Sequence, residues 1–299
     1  MGVDSRTFVY PRSGVENGSF ITSREELEEV RTRLTDHVRA TVEDADAAGV
    51  VVAMSGGIDS TVTATLAVDA LGSDRVLGLG LPCHKTERAA VSEARTIAEG
   101  LGIEFHDVQL RPLLAAFEET FAGELEEASS AEQPTQRPNE RNYAIGNAVA
   151  RFRMLCAYYV ANRRSRLVLG TANRSEWLLG YFTKYGDGAA DLYPIGDLYK
   201  TEVRALAERI GVPRRIVNKE PTAGFWAGQT DASELGAPYE VIDPFLTRIV
   251  DERLSIEDAA DELEITLETA RTIALRCSET AHKRTLPPTP GIDGRTDLR

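Results

Sequence analysis

Lysine is scarce in this chain. Of 34 basic residues in 299, five are lysine (Lys85, Lys184, Lys200, Lys219 and Lys283) and the other 29 are arginine. Against them stand 47 carboxylates, for a formal net charge of −13. That balance argues against a dominant electrostatic grip on nucleic acid or anionic lipid, while leaving room for a small basic site. Few lysines among surplus carboxylates suit a surface adapted to concentrated salt; they also suit an ordinary acidic protein. Either way, each remaining lysine becomes a candidate for a specific task. Cysteine is nearly absent too. Cys83, Cys156 and Cys277 are odd in number and far apart, which argues against a disulfide framework and excludes zinc-ligand pairs by spacing. No apolar run approaches the ~18 residues of a membrane-spanning helix. The start, MGVDSRTFVYPRSG, lacks the charged head and apolar core of a secretory signal, and Arg6 breaks the myristoylation pattern. These absences lead us to expect a cytoplasmic protein.

The apolar fraction of 42% suits a globular chain with a full core. Ser23-Arg24-Glu25-Glu26 is a capping box, and Leu27, Val30, Leu34, Val38 and Val42 recur at helical spacing to about Ala48. Short apolar runs at 50–54, 76–81, 103–108 and 167–169 read as strands. Helical patterns intervene, including 87–101, 113–127 and 140–163. Strands alternating with helices predict an α/β fold, a doubly wound parallel sheet flanked by helices. Residues 128–139 and 182–197 read as loops, 198–210 as a helix, 219–236 as irregular and 237–284 as helical again. The expected organisation is one domain over 23–286, a poorly ordered extension at 1–22 and a flexible tail at 287–299.

The sharpest local signal is VVAMSGGIDS, Val51 to Ser60. An apolar strand runs into Ser-Gly-Gly and then a helix. Gly56 and Gly57 let the backbone turn tightly, and their N–H groups with the helix N-terminus form an anion cradle. Ser55 and Ser60 add hydroxyls. Asp59 puts a carboxylate beside the cradle, which is repulsive to phosphate unless a cation such as Mg²⁺ intervenes. No lysine follows the glycines, so this is not the G-x-x-x-x-G-K-[ST] loop. An ordinary Gly-Gly turn is the plain alternative.

SGGIDS resembles the pyrophosphate loop of the ATP pyrophosphatases, the PP-loop superfamily, which adenylate a substrate oxygen and release pyrophosphate. Further motifs choose within it: GNAVARFRM at 146–154, LVLGTANRSEWLLGYFTKYGDGAADLYPIGDLYKT at 167–201, NKEPTAGFWAGQTDASELG at 218–236, YEVID at 239–243 and AHKR at 281–284. Collinear over roughly residues 25–290, they are similar to those of ammonia-dependent NAD synthetases. The resemblance implies a Rossmann-like, adenine nucleotide alpha hydrolase-like fold and a homodimer with helix 140–163 at its interface. It also implies a two-step reaction. The carboxylate of deamido-NAD (nicotinic acid adenine dinucleotide) is adenylated by ATP, and ammonia then displaces AMP to give NAD.

The resemblance also implies site residues. Ala53, Met54, Ser55, Gly56, Gly57, Ile58, Asp59 and Ser60 would hold ATP, with Thr171, Lys200 and Thr222. Asp59 and Glu176 would carry Mg²⁺. Arg151, Lys184, Asp191, His282 and Lys283 would bind deamido-NAD. Asp59, Glu176 and Lys184 would form the catalytic set. Plainer readings stand beside these: Glu176 as a surface helix residue, Lys184 and Asp191 as an ion pair in a solvated loop, Arg151 in a structural ion pair, and His282-Lys283 as cations closing a helix. Cys83 reads as a packed loop residue, Cys156 and Cys277 as core.

An amidase domain that frees ammonia from glutamine needs hundreds of further residues and a reactive cysteine. Free ammonia is therefore the expected nitrogen source, with a separate glutaminase possible but not required. A tRNA sulfur-transfer role would call for cysteine pairs, which the spacing denies. Residues 255–276 resemble a helix-turn-helix with Ile256, Ala259, Leu263, Leu267, Ala270 and Ile273 as its core, but the segment is too acidic for DNA. No nucleic-acid or membrane partner is expected.

Overall fold

Four short strands organise the molecule. In the computed structural model, which describes residues 20–84, 87–124, 140–222 and 230–288, they are β1 (Gly49–Ala53), β2 (Val76–Gly80), β3 (Glu104–Asp107) and β4 (Arg166–Leu169). All pair in parallel in the order β3-β2-β1-β4, with Val50 opposite Val76 and Gly49 opposite Arg166. The two central strands are apolar because both their faces are covered. Val50 and Val52 pack with α1 (Arg24–Asp44), α2 (Ile58–Leu71), α3 (Arg88–Leu101) and, further along, α7 (Lys200–Arg209) and α8 (Arg214–Val217). Val51, Leu77 and Leu79 face the other way, onto α4 (Arg111–Phe117) and α5 (Glu140–Arg164). The doubly wound reading therefore holds. At the sheet edge, β3 reads Glu-Phe-His-Asp and is largely exposed, as an edge strand tolerates.

A third cluster lies to the C-terminal side. It joins α6 (Arg174–Leu179), α9 (Asp231–Leu235), α10 (Tyr239–Leu246), α11 (Ile256–Glu262) and α12 (Leu267–Glu279). The short α6 escapes periodicity analysis, yet its ends are well signalled. Asn173 caps it in a box with Glu176, and Gly180 ends it at φ +59°. A Cβ at Gly180 would sit 2.3 Å from that of Thr280, so this turn packs directly on the end of α12.

Several details differ from the sequence reading. The first helix stops at Asp44 rather than near Ala48, because Asp46 turns into the left-handed region at φ 50°. The helix expected from 113 starts at Arg111 and loosens into a π turn over Glu118–Ala122; residues 125–127, and the loop at 128–139, lie outside the described residues. In the helix pair α11–α12, Ala259, Ala270 and Ile273 are buried, but Leu267 is exposed and no core residue. Phe20 and Ile21 fall in the expected extension, yet Ile21 is buried and donates its N–H to Glu202 at 3.0 Å. Residues 1–19 and 289–299 lie outside the described residues. No described helix is long and apolar enough to cross a membrane.

Candidate active site

The carboxyl end of β1 delivers Ala53 and Met54 to the Ser-Gly-Gly turn, and α2 starts at Ile58. Gly56 adopts φ +74°, and a Cβ there would meet the Ala90 carbonyl oxygen at 2.2 Å. Glycine is thus required by both conformation and space. The Gly57 N–H points to Ser55 Oγ at 3.3 Å, and Ser60 Oγ lies 3.3 Å from the same hydroxyl. Two hydroxyls, an N–H and a helix N-terminus thereby converge on one side of the loop, an arrangement suited to an anion.

Next to this cradle lies a buried ionic knot. Lys200, the first residue of α7, places its Nζ 2.6 Å from Asp59 Oδ2 and 3.2 Å from Glu176 Oε1. Asn173 ties the same two residues from the other side. Its Nδ2 donates to Asp59 at 2.9 Å and its Oδ1 accepts the Glu176 N–H at 3.0 Å. Burial opposes charge on Lys200, but Asp59 and Glu176 outweigh it and hold its pKa above the ordinary lysine value. Burial pushes the Glu176 carboxyl up, against the pull of Lys200. Glu176 is therefore no surface helix residue: its side chain is 16% exposed and turned inward. The two carboxylates offer hard oxygen ligands for a divalent cation. Among the described residues no cluster of three or more acidic, His or Cys side chains could hold a metal alone.

Sequence reasoning missed the support of this knot. Ser175 Oγ accepts the Lys200 N–H at 2.9 Å and donates to buried Asp243 at 2.6 Å, while Asp243 also accepts from Thr201. Asp231 takes phenolic hydrogen bonds from Tyr239 at 2.9 Å and Tyr181 at 3.1 Å, and Tyr239 presents its ring 5.3 Å from Lys200 Nζ. A cavity of about 420 Å³ opens here, lined by Lys219, Pro221, Asp231 and Tyr239 among others. Asn173 carried one usable signal, its place as the N-cap of a capping box; Asp231 lay in a quoted motif without a role. Thr171 follows the end of β4, and Thr222 is exposed at the edge of the described segment that carries Lys219.

Of the residues expected on the dinucleotide, Arg151, Lys184, His282 and Lys283 assemble elsewhere, around the turn after α6. Arg151 on α5 donates to the Lys184 carbonyl at 3.2 Å. Lys184 donates to the His282 carbonyl at 2.6 Å. Lys283 donates to the Gly180 and Phe182 carbonyls at 2.8 and 2.9 Å, and burial lowers its pKa. His282 is exposed, its Nδ1 3.0 Å from the Glu279 carbonyl. Asp191 accepts the Val168 N–H at 2.7 Å and the Tyr158 hydroxyl at 3.2 Å. Lys184 and Asp191 thus engage other groups, and neither is the other's partner in the expected solvated ion pair. Cys83 and Cys277 are buried and Cys156 half-buried.

A parallel sheet, a Ser-Gly-Gly turn at the end of a central strand and an Asp–Lys–Glu knot beside it form an α/β framework suited to holding an anion next to buried charges. Comparison narrows this. Residues 30–287 match the family described as NAD synthase. The NH(3)-dependent NAD(+) synthetase of Methanocaldococcus jannaschii is 44% identical over 268 residues, covering 90% of this chain and 98% of its own. Among solved structures, NMN synthetase from Francisella tularensis superposes with a TM-score of 0.74 at 34% identity, over 89% of this chain and 99% of its own. The NH3-dependent NAD synthetase of Campylobacter jejuni, in complex with the nitrate ion, gives 0.70 at 26% identity, over 89% and 99%. The chain belongs to the NAD synthase family.

Proposed function

We infer that this chain is a ligase that amidates deamido-NAD with ammonia at the expense of ATP, giving NAD, AMP and pyrophosphate, the last step of NAD biosynthesis. The observation that carries this reading is the convergence of Lys200, Asp59 and Glu176 beside the Ser-Gly-Gly cradle, in a chain that matches the family from residue 30 to 287. The cradle holds the phosphates of ATP. A carboxylate oxygen of the substrate bonds to the α-phosphorus, and the α–β bridging bond breaks with pyrophosphate as leaving group. Ammonia then adds to the acyl carbon, the bond to AMP breaks, and a proton goes to solvent. A carboxylate is a poor acyl donor, and adenylation converts it to a mixed anhydride. The work of the protein is therefore positioning and charge neutralisation. The buried ammonium of Lys200 meets negative charge as it develops on the phosphates.

Asp59 and Glu176 fit Mg²⁺, which takes one or two carboxylates and completes its shell with phosphate oxygens and water. Bound there, it would screen the pyrophosphate. Thr171 and Thr222 complete the ATP contacts. Arg151, Lys184, Asp191 and His282 hold the dinucleotide, with Lys283 shaping the turn from which Lys184 projects. Tyr143, Leu155 and Tyr159 on α5 are 52–65% exposed, which supports that helix as a homodimer face. Three free cysteines suit the reducing cytoplasm.

The test incubates the protein with ATP, Mg²⁺ and deamido-NAD, in high and low KCl, with ammonium and glutamine supplied separately. NAD, AMP and pyrophosphate in equal amounts with ammonium alone are the expected outcome. Because NMN synthetase is among the similar structures, nicotinate mononucleotide is run in parallel. Faster amidation of the mononucleotide would replace deamido-NAD as the substrate, and no AMP in any condition would sink the adenylation chemistry.

A further inference from the structure

Lys219 is one of five lysines, lies 163 residues from the phosphate loop, and reaches back to it. Its Nζ donates to the Gly56 carbonyl at 3.2 Å and to Glu93 Oε2 at 3.0 Å. Glu93 projects from α3 and is itself bonded by Arg215 at 3.3 Å. The same helix brings the Ala90 carbonyl against the Cα of Gly56, where no Cβ would fit. The Gly56 peptide is therefore held by α3 at its Cα and by Lys219 at its oxygen.

The peptide bond is planar and trans, so the Gly56 carbonyl and the Gly57 N–H point in opposite directions. Whatever holds the carbonyl on one side aims the N–H to the other, where Ser55 Oγ and Ser60 Oγ lie. Beyond the long Gly57 N–H bond to Ser55 Oγ, a glycine pair offers no Cβ of its own to resist a flip of this plane. We propose that Lys219 is a positioning residue for the phosphate loop: it pins the Gly56 carbonyl outward, through Glu93 as its anchor on α3, so that the Gly57 N–H faces the pyrophosphate part of ATP. Lys219 acts through the loop rather than on the nucleotide, and it also lines the cavity beside Asp231 and Tyr239. The proposal rests on the Ser-Gly-Gly turn being the phosphate site.

The experiment measures pyrophosphate binding by calorimetry in Mg²⁺ buffer, together with KM for ATP, KM for deamido-NAD and kcat, in the full chain. Lys219→Met should weaken pyrophosphate binding and raise KM for ATP by about tenfold, the effect of losing a charge-assisted hydrogen bond. KM for deamido-NAD should stay within about twofold, because that site lies on the turn after α6. Lys219→Arg keeps a donor for both partners and should restore most of the affinity. Wild-type affinity for pyrophosphate in Lys219→Met would overturn the proposal alone. An equal rise in both KM values, unrelieved by arginine, would also overturn it and leave Lys219 a merely structural residue. Wild-type protein that binds no pyrophosphate would overturn the phosphate-loop reading and this proposal with it.

Discussion

Two halves of the site are built differently. On the side proposed for ATP, charged groups satisfy one another: Lys200 is 2% exposed and meets two carboxylates, and Asn173, Ser175 and Asp243 hold the knot in place. On the side proposed for the dinucleotide, the cations rest on backbone carbonyls. Lys184 lies on His282, Lys283 on Gly180 and Phe182, and Arg151 on Lys184 itself. A buried knot stores its geometry before substrate arrives, which suits the positioning of a reacting phosphate. A half-buried lysine resting on carbonyls holds only modest hydrogen bonds, so a ligand phosphate or carboxylate can compete for it. The first half is pre-organised, whereas the second is available for exchange.

The largest effect should come from breaking the knot. Lys200→Met leaves Asp59 and Glu176 facing each other without their common cation. Loss of one member of a buried pair costs about 3–5 kcal/mol. Adenylation should also fall by on the order of 10³, as when a preorganised charge stabiliser is removed. Asp59→Asn is gentler on the fold, because Lys200 keeps Glu176, but it should still abolish most AMP formation. Thermal melts and AMP release read the two effects separately. Wild-type turnover in either variant would dissolve the contrast between the halves.

That contrast was partly legible in the sequence. The Val-rich run into Ser-Gly-Gly located a strand, a turn and a helix start because each has a local signature. Features that depend on distant partners or on very short elements could not be read as readily. Lys200 stood out only by scarcity and resemblance, and its carboxylate at Asp59 is 141 residues away. Helix α6 spans six residues, too few to show a helical period, although Asn173, Glu176 and Gly180 mark both its ends. The polar strand β3 was legible at Ile103 and Phe105 but not as an edge, because an edge is a fact about neighbours. Asp231 is a carboxylate whose two tyrosine partners lie 50 and 8 residues away, so no motif assigned it a place.

Next in size is Lys184. Lys184→Ala removes an ammonium whose protein partners are carbonyls of His282 and Thr285. Stability should change by less than about 0.5 kcal/mol, as at ordinary surface positions. KM for deamido-NAD should rise roughly ten- to hundredfold, the range of a hydrogen bond to a charged group. KM for ATP should stay near wild type. A rise in both would mean that the two halves are coupled through the turn after α6, and an unchanged rate would remove Lys184 from the site.

The smallest effect sharpens the boundary between the halves. Lys283 is adjacent to His282 in the chain, and both were expected on the dinucleotide. Its ammonium, however, is half-buried and engages the Gly180 and Phe182 carbonyls, the first of which closes α6. The Gly180 carbonyl has no partner further along the helix it closes, so the lysine serves as a cap across 103 residues of chain. Lys283→Met keeps the length of the stem and removes the donors. It should cost about 1–2 kcal/mol of stability, a fall of roughly 2–4 °C in Tm for a chain of this size. KM for deamido-NAD should rise by less than Lys184→Ala raises it, through a loosened turn rather than a lost contact. The opposite pattern, an unchanged Tm with a KM raised as far as in Lys184→Ala, would show that Lys283 leaves its carbonyls when substrate binds. It would then belong with the exchangeable cations, and the boundary would move from His282 to the end of α6.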